Sequence, residues 1–214
     1  MPKILPFQRY TVRYENWFED NPWVYQAELK AVACLLPDGN YGMEIGIGTG
    51  RFAEPLGITI GVDPSSHMRE IAQKRGIKVV GAVAESLPFK NALFEFILMV
   101  TTICFVDDIN RSFAEAFRVL VRGGYLIIGL VDRNSPLGQT YFRNQHSNVF
   151  YKEATFFSVE ETLEIMKKAG FAGFSFRQTI FRDLKEINGS EEIKPGYGEG
   201  SFVVIRGKKK YLSG

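Results

Sequence analysis

The sequence contains little cysteine and no long apolar run. Its 214 residues include two cysteines, Cys34 and Cys104, and two thiols make neither a disulfide framework nor a cysteine-based zinc site. No stretch approaches the roughly 20 apolar residues that a membrane-spanning helix needs, and Met1–Tyr10 has no apolar core of the signal-peptide type. These absences predict a cytoplasmic protein with no metal ion and no membrane partner.

Charge of one sign is not concentrated either. The formal net charge is +2 at pH 7, and the one basic cluster, Lys208–Lys210, lies at the C-terminal end, where it is typical of a solvated tail. A nucleic-acid-binding domain usually carries a basic patch or stripe on one face, so we predict no nucleic-acid partner. A chain of this length buries enough surface to form a full hydrophobic core, which favours a single domain over residues 1–214.

Between residues 40 and 130, short apolar runs alternate with polar segments of helical periodicity. This alternation is typical of strand–helix–strand units and a parallel sheet. The predicted strands are Tyr41–Ile45, Ile58–Val62, Lys78–Ala82, Phe94–Val100, Tyr125–Leu130, Phe171–Gln178 and Ser201–Gly207. Capping residues and apolar spacing predict helices over Ser65–Arg75, Asp108–Val121 and Ser158–Ala169. We therefore expect an α/β fold with a mostly parallel, seven-stranded sheet and helices on both faces, in which the last strand runs antiparallel at or near one edge.

The segment Glu44–Gly50, with the sequence Glu-Ile-Gly-Ile-Gly-Thr-Gly, follows the first predicted strand and precedes a segment of helical character. Glycines permit positive φ and let the backbone approach a ligand without a Cβ in the way. A tight turn alone would require one glycine, not three. The dinucleotide fingerprint G-x-G-x-x-G needs a glycine where Arg51 or Ala53 stands, and the Gly-Lys-Ser/Thr of a phosphate-binding loop is missing. The loop therefore favours a ligand without phosphates over a nicotinamide dinucleotide.

Asp63 ends the next predicted strand, in the sequence Gly-Val-Asp. An acidic side chain at this point can accept hydrogen bonds from both hydroxyls of a ribose. It can also act as a helix N-cap, because Pro64 follows directly and suits the first turn of a helix. The two roles are compatible, and the glycine loop on the neighbouring strand favours the ribose interpretation.

Four segments together resemble the class I S-adenosylmethionine-dependent methyltransferases, and among them the small-molecule group related to the ubiquinone and menaquinone biosynthesis enzymes (methyltransferase type 11). The resemblance is carried, in the family's order and spacing, by Met43–Phe52, Asp63–Met68, Ala84–Phe89 and Glu115–Gly129. It implies a Rossmann-like fold, S-adenosylmethionine as cofactor and methyl transfer to a small-molecule acceptor. The alternative left open is an S-adenosylmethionine-binding sensor or partner subunit without transferase activity.

The resemblance also implies roles for single residues. Those it places at the cofactor are Tyr14, Glu44, Gly46, Gly48, Gly50, Asp63, Met68, Val83, Ala84, Glu85 and Thr101. Glu44 would hold the amino group of the cofactor, directly or through water, and Tyr14 would reach its carboxylate. The three glycines would line the methionine and ribose, and Asp63 would bind the ribose hydroxyls. Met68 would pack on the adenine, and Thr101 would lie under the methionine portion.

Two positions depart from the family pattern. The segment Val83–Glu85 would meet the adenine edge, but Val83 stands where the family commonly has an aspartate that accepts a hydrogen bond from the adenine amino group. Recognition of the adenine edge would then depend on backbone groups. Ile47 replaces the small residue or cysteine that is more usual between the glycines.

Two segments outside the resemblance are expected to form the acceptor side. Residues 1–36 are rich in aromatic side chains and are predicted to form a helical cap or lid, while residues 132–154 are irregular, as long functional segments often are. The acceptor pocket is predicted between them, because ligands of open α/β sheets lie outside the carboxyl ends of the strands. The candidate polar residues there are Asp132, Arg133, Tyr141 and His146, with His146 as the catalytic base if the reaction needs one. The oligomeric state and the identity of the acceptor stay open.

Overall fold

The computed structural model describes residues 3–38 and 41–210, which form an eight-stranded sheet with helices packed against it. The strands are β1 (Gly42–Ile45), β2 (Ile60–Val62), β3 (Lys78–Val80), β4 (Phe94–Val100), β5 (Leu120–Val131), β6 (Phe171–Thr179), β7 (Lys194–Pro195) and β8 (Phe202–Lys209). The α-helices are α1 (Leu5–Arg9), α2 (Thr11–Asp20), α3 (Pro22–Ala33), α4 (Ser66–Lys74), α5 (Ile109–Val119), α6 (Pro136–Arg143) and α7 (Val159–Lys168). Two short 3-10 helices span Gln145–Ser147 and Leu184–Glu186.

The strand order is β3-β2-β1-β4-β5-β8-β6-β7. Strands β1 to β5 form a parallel group, in which every pair of adjacent strands is parallel. Strand β8 is antiparallel to both of its neighbours, β5 and β6. The predicted α/β fold with a mostly parallel sheet is confirmed. The predicted count of seven strands is one short, because β7 has only two residues and no alternating pattern. Strand β8 is antiparallel as predicted, but it lies inside the sheet, where Phe202–Ile205 are fully buried.

Both faces of the sheet are covered. Along β4, Phe96, Leu98 and Val100 pack into one core together with α3, while Ile97 and Met99 pack into a second core with α5 and α7. The side chains alternate because successive Cβ atoms of a strand point to opposite faces. This burial explains why the central strands are almost continuously apolar. It leaves the loops at the carboxyl ends of the strands as the place where polar residues gather.

The predicted helices form close to their expected bounds. The Ser65 hydroxyl accepts a hydrogen bond from the backbone N–H of Met68 at 3.4 Å and so caps α4. Helix α5 ends at Val119, two residues before its predicted end at Val121, because the next residue, Leu120, already pairs with β4. Pairing in the sheet therefore overrides the helical pattern at this point.

Two segments differ locally from their prediction. Residues 51–57, after the glycine loop, form consecutive turns instead of a helix. The segment 132–154 is not irregular throughout, since it contains α6, which Ser135 caps by accepting a hydrogen bond from Gly138 N at 3.0 Å. Pro136 occupies the first turn of α6, so a Ser-Pro start signal was present in the sequence. Within the described residues, no helix is long and apolar enough to cross a membrane.

Candidate functional site

A cavity of about 460 Å³ opens at the carboxyl ends of the parallel strands. Its wall includes Ile45, Asp63, Thr101 and Val131, which lie at or just after the ends of β1, β2, β4 and β5. Ligands of open α/β sheets bind at this edge. Nine of the eleven residues that the family resemblance places at a cofactor line the cavity: Tyr14, Gly46, Gly48, Asp63, Met68, Val83, Ala84, Glu85 and Thr101. The fold thus brings together residues that lie far apart in the chain.

The glycine loop needs its glycines for two different reasons. Gly46 and Gly48 have φ values of +68° and +55° and line the cavity. A Cβ on Gly48 would lie 3.1 Å from the Tyr14 hydroxyl, so a side chain would fill the space in front of the loop. Gly50 also has a positive φ, but it does not line the cavity, and a Cβ there would lie 2.5 Å from Ile77. Gly50 therefore serves the packing of the loop onto the core.

Asp63 connects the loop to the next strand. Its Oδ2 accepts a hydrogen bond from Gly48 N at 2.9 Å, and its Oδ1 accepts one from Ser65 N at 2.8 Å. The side chain is 8% exposed, and burial raises its pKa although these two bonds oppose the shift. Each carboxylate oxygen keeps a further lone pair. Asp63 can therefore hold the loop in place and still accept hydrogen bonds from a ligand in the cavity.

Glu44 lies behind the loop and is not part of the cavity wall. It is 2% exposed, and its Oε2 has no hydrogen-bond partner among the described residues. Burial raises the pKa of Glu44 well above its ordinary value, although a hydrogen bond from the backbone of Ala53 works against the shift. A buried carboxyl oxygen without a partner is costly unless water or a ligand group completes it. Glu44 therefore lies next to the glycine loop but outside the cavity wall, with one carboxyl oxygen that no described residue bonds.

The residues predicted at the adenine lie on one side of the cavity. Met68 and Ala84 contribute apolar surface, and Val83 forms an isolated bridge with Ser86. The Glu85 carboxylate accepts hydrogen bonds from the backbone N–H groups of Asp107 and Asp108 at 2.7 Å and 3.1 Å. Because its carboxylate is used to hold the start of α5, Glu85 offers the cavity mainly its backbone.

Thr101 has a backbone conformation that its sequence could not reveal. Its φ is +48°, which is rare for a β-branched residue and marks local strain. The strain is held by tertiary contacts, since Thr101 N donates to Gly129 O at 2.8 Å. The next residue, Thr102, donates from its hydroxyl to Val100 O at 2.9 Å. The end of β4 thus turns sharply beneath the cavity.

Helix α2 is tied to the glycine loop by a charge network. Glu15 accepts hydrogen bonds from Arg51 at 2.9 Å and from Arg75 at 2.7 Å, and it also accepts one from the Thr49 hydroxyl. Burial alone would raise the pKa of Glu15, but the bonds from Arg51 and Thr49 outweigh it and lower the pKa. The network places Tyr14 over the loop, where burial and then the charges of Glu44 and Asp63 raise its pKa. The Tyr14 phenol therefore stays protonated and can donate a hydrogen bond.

Six aromatic rings form one side of the cavity, which we call the aromatic wall. They come from three separate segments of the chain and are Phe7, Tyr14, Phe105, Tyr141, Phe150 and Tyr151. Their ring centroids lie close together, at 4.8 Å for Phe7 and Phe105, 5.5 Å for Phe7 and Phe150, and 5.0 Å for Tyr141 and Tyr151. Edge and tilted contacts at such distances are favourable beyond the apolar area they bury. Both the N-terminal segment and the segment 132–154 thus contribute to the cavity.

The other polar candidates do not reach the cavity. His146 is exposed on the 3-10 helix Gln145–Ser147 and is not part of the wall. Asp132 accepts hydrogen bonds from the backbone of Asn134 at 3.1 Å and of Val159 at 3.4 Å, so it serves the start of α7. Arg133 pairs with Glu161 at 2.7 Å. Of the four candidates named from the sequence, only Tyr141 lines the cavity.

Sequence reasoning missed Glu28, which lines the cavity and is only 6% exposed. Burial raises its pKa to about 8. A signal was present, because Glu28 stands in an apolar stripe at helical spacing with Val24, Ala27 and Ala31. A single carboxyl in such a stripe is either a packing defect or a functional group.

Comparison with known proteins agrees with this geometry. Residues 43–128 match the family model of the methyltransferase domain. An uncharacterised protein of Methanocaldococcus jannaschii is 45% identical over 203 residues, which cover 95% of this chain and 98% of that protein. The crystal structure of an S-adenosylmethionine-dependent methyltransferase of Thermotoga maritima, described as a possible histamine N-methyltransferase, is 56% identical and has a TM-score of 0.94. That match covers 96% of this chain and 98% of the other.

A more distant structure shows that the fold extends beyond these relatives. Phosphoethanolamine N-methyltransferase 2 of Haemonchus contortus, in complex with phosphomonomethylethanolamine and S-adenosylhomocysteine, has a TM-score of 0.64 at 17% identity. The match covers 86% of this chain and 52% of that one. The fold and the cavity at its strand ends define a class I methyltransferase. The chain belongs to the S-adenosylmethionine-dependent methyltransferase family; it is an enzyme that transfers a methyl group, and S-adenosylmethionine is its cofactor.

Proposed function

We propose that S-adenosylmethionine lies across the glycine loop and that its methyl group is transferred to a small molecule held beside the aromatic wall. The observation that carries the proposal is the convergence of Gly46, Gly48 and the buried Asp63 carboxylate on a single cavity. When bound, S-adenosylmethionine supplies an electrophilic methyl group on a sulfonium. The chain itself has to bind and orient the two reactants and to exclude water from them. Alignment of the reactants can lower the barrier by about 7–11 kcal/mol.

Residue roles follow from the contacts described above. We assign the ribose hydroxyls to the free lone pairs of Asp63 and the adenine to the apolar surface of Met68 and Ala84. In the absence of an acidic side chain at Val83, the adenine edge would be read by the backbone. We assign the amino group of the methionine portion to Glu44, whose buried Oε2 has no partner among the described residues. We assign the carboxylate of that portion to the Tyr14 hydroxyl, which stays protonated and can donate a hydrogen bond.

The acceptor is assigned to the half of the cavity bounded by the aromatic wall. This wall combines residues of α1, α2 and the segment 132–154, so the predicted cap and the predicted acceptor segment meet there. Its largely apolar surface suits an organic molecule of small size. The Thermotoga maritima relative is described as a possible histamine N-methyltransferase, which favours a small nitrogen-containing acceptor for this chain as well.

The experiment is a calorimetric titration with S-adenosylhomocysteine. Asp63→Ala and Gly48→Val should each weaken binding by at least about tenfold, because the first removes the anchor of the loop and the second fills the space in front of it. Asp108→Ala is the matched control, since Asp108 also accepts a backbone hydrogen bond, from Arg111 N at 3.0 Å, but caps α5. Unchanged affinity in both folded variants would contradict the assigned cofactor position.

A further inference from the structure

Glu28 lies in the middle of the buried face of α3. Its neighbours at helical spacing, Val24, Ala27, Ala31 and Val32, are at most 2% exposed and belong to the core. Glu28 itself is 6% exposed and reaches the cavity wall. A position that the helical spacing assigns to the core therefore presents a carboxyl group to the cavity.

The Glu28 carboxyl has no hydrogen bond and no ion pair with any of the residues 3–38 and 41–210, and burial is the one cause of its raised pKa. Lys3 and Arg13 also line the cavity, but neither pairs with it, and Lys3 Nζ lies 3.4 Å from the Thr155 hydroxyl. The other acids of the wall, Asp63 and Glu85, are held by backbone N–H groups. Glu28 is thus a largely buried carboxyl that lacks a partner within the protein and faces the cavity, where water or a ligand group has to complete it.

The surroundings of Glu28 are aromatic. Glu28 shares the cavity wall with Tyr141 and Tyr151, and its charge adds, after burial, to the raised pKa of Tyr141. The ring centroid of Tyr151 lies 5.0 Å from that of Tyr141, so the two rings form one aromatic surface of that wall. Faces of aromatic rings attract cations, and a carboxylate in a desolvated site pairs strongly with one. The two features point to the same kind of ligand.

We propose that the methyl acceptor carries a cationic amine group and that Glu28 binds this group beside Tyr141 and Tyr151, an inference that rests on the proposed function of the cavity. An ammonium group gives the Glu28 carboxylate the partner that the chain does not supply. A neutral acceptor gives the carboxyl at most a hydrogen bond, whereas an ammonium group stabilises its ionised form, which an anionic acceptor opposes. The site therefore selects its acceptor by charge as well as by size.

Calorimetry on protein saturated with S-adenosylhomocysteine tests this proposal. The probes are two aromatic amines, 2-phenylethylamine and histamine, and one aliphatic amine, 1,4-diaminobutane, with 2-phenylethanol and phenylacetate as neutral and anionic counterparts. At least one amine should bind the wild type about tenfold or more tightly than the counterparts do. Glu28→Gln, which keeps the shape and removes the charge, should lose that preference, and Glu28→Asp should keep part of it.

A matched control separates this effect from the loss of any buried glutamate. Glu191 is 8% exposed, but it pairs with Arg182 at 2.6 Å and does not line the cavity, so Glu191→Gln should bind the amines like the wild type. The affinity for S-adenosylhomocysteine should change by less than about threefold in Glu28→Gln. The proposal is overturned if no amine binds better than its counterparts, if Glu28→Gln keeps the preference, or if it loses S-adenosylhomocysteine instead. Failure of the wild type to bind S-adenosylhomocysteine would instead contradict the proposed function.

Discussion

Asp63 and Glu28 are both buried carboxyls on the wall of the same cavity, but their surroundings differ. Asp63 accepts two backbone hydrogen bonds, from Gly48 and Ser65, which makes it part of the loop structure. Glu28 accepts none from the described residues, and burial raises its pKa to about 8. A group of the second kind weakens the folded state unless water or a ligand completes it.

The raised pKa of Glu28 predicts a pH-dependent stability. Between its ordinary pKa of 4.5 and its folded-state value of about 8, the folded protein holds a proton that the unfolded chain has released. The contribution of Glu28 to the free energy of unfolding therefore falls as the pH rises through this range, by a few kcal/mol at most. Glu28→Gln removes this loss, so its stability relative to the wild type should increase from about pH 5 to about pH 8. Urea unfolding at both pH values measures the difference, and a difference independent of pH would refute the assignment.

At the scale of elements, α1 and α2 both contribute to the aromatic wall, but α2 alone carries the contacts to the glycine loop. Helix α2 carries Glu15, which binds Arg51 and Arg75 beside the glycine loop, and Tyr14, which lies over that loop. Helix α1 carries Phe7, which packs against Phe105 and Phe150 in the aromatic wall. Removal of residues 1–20 would therefore disturb cofactor and acceptor sites together. Removal of α1 alone takes Phe7 from the aromatic wall and leaves Glu15 and Tyr14 in the chain, and it also removes the contact of Gln8 O with His67 Nδ1 on α4 at 2.7 Å.

Deletion of residues 1–9 is expected to impair the acceptor side selectively. The aromatic wall loses Phe7, while the Glu15 network and Tyr14 stay in place. Methyl transfer to an amine acceptor should fall about tenfold or more, while affinity for S-adenosylhomocysteine should change by less than about threefold. Val12→Ala is a suitable control, because Val12 is 74% exposed on α2. Turnover equal to that of the full chain would show that α1 does not help to hold the acceptor.

For the whole molecule, the cofactor should stabilise the fold by binding across elements that are distant in sequence. At roughly 100 times its dissociation constant, S-adenosylhomocysteine should add about 2.7 kcal/mol to the free energy of unfolding. For a chain of this size that corresponds to a rise in melting temperature of about 5–10 °C. Differential scanning calorimetry with and without the ligand measures the shift. Asp63→Ala at the same ligand concentration should show a much smaller rise, and an equal rise would contradict the ligand position.

Much of the fold could be predicted because its signals are local. The strand Phe94–Val100 and the helices capped by Ser65 and Ser158 formed within about two residues of their predicted ends. Strand β5 begins at Leu120, five residues before its predicted start at Tyr125. The glycine loop and Asp63 were also recognisable, since each has a backbone or capping requirement that appears in the sequence itself. The place of β8 between β5 and β6 could not be predicted, because strand order depends on contacts between distant segments and has no signal in the local sequence pattern.

The sequence by itself determined the α/β class, the glycine loop, the acidic residue after the second strand and membership in a methyltransferase family. Only the tertiary structure decided which side chains share the cavity. It brought Glu28, Phe7, Phe105 and Tyr151 to the wall of the cavity, and it left His146 exposed to solvent. Periodicity states which face of a helix is buried, but not whether that face meets a core or a cavity. Glu28 meets the cavity because chain segments more than 100 residues away, around Tyr141 and Tyr151, form part of the same cavity wall. Only the tertiary packing decides this.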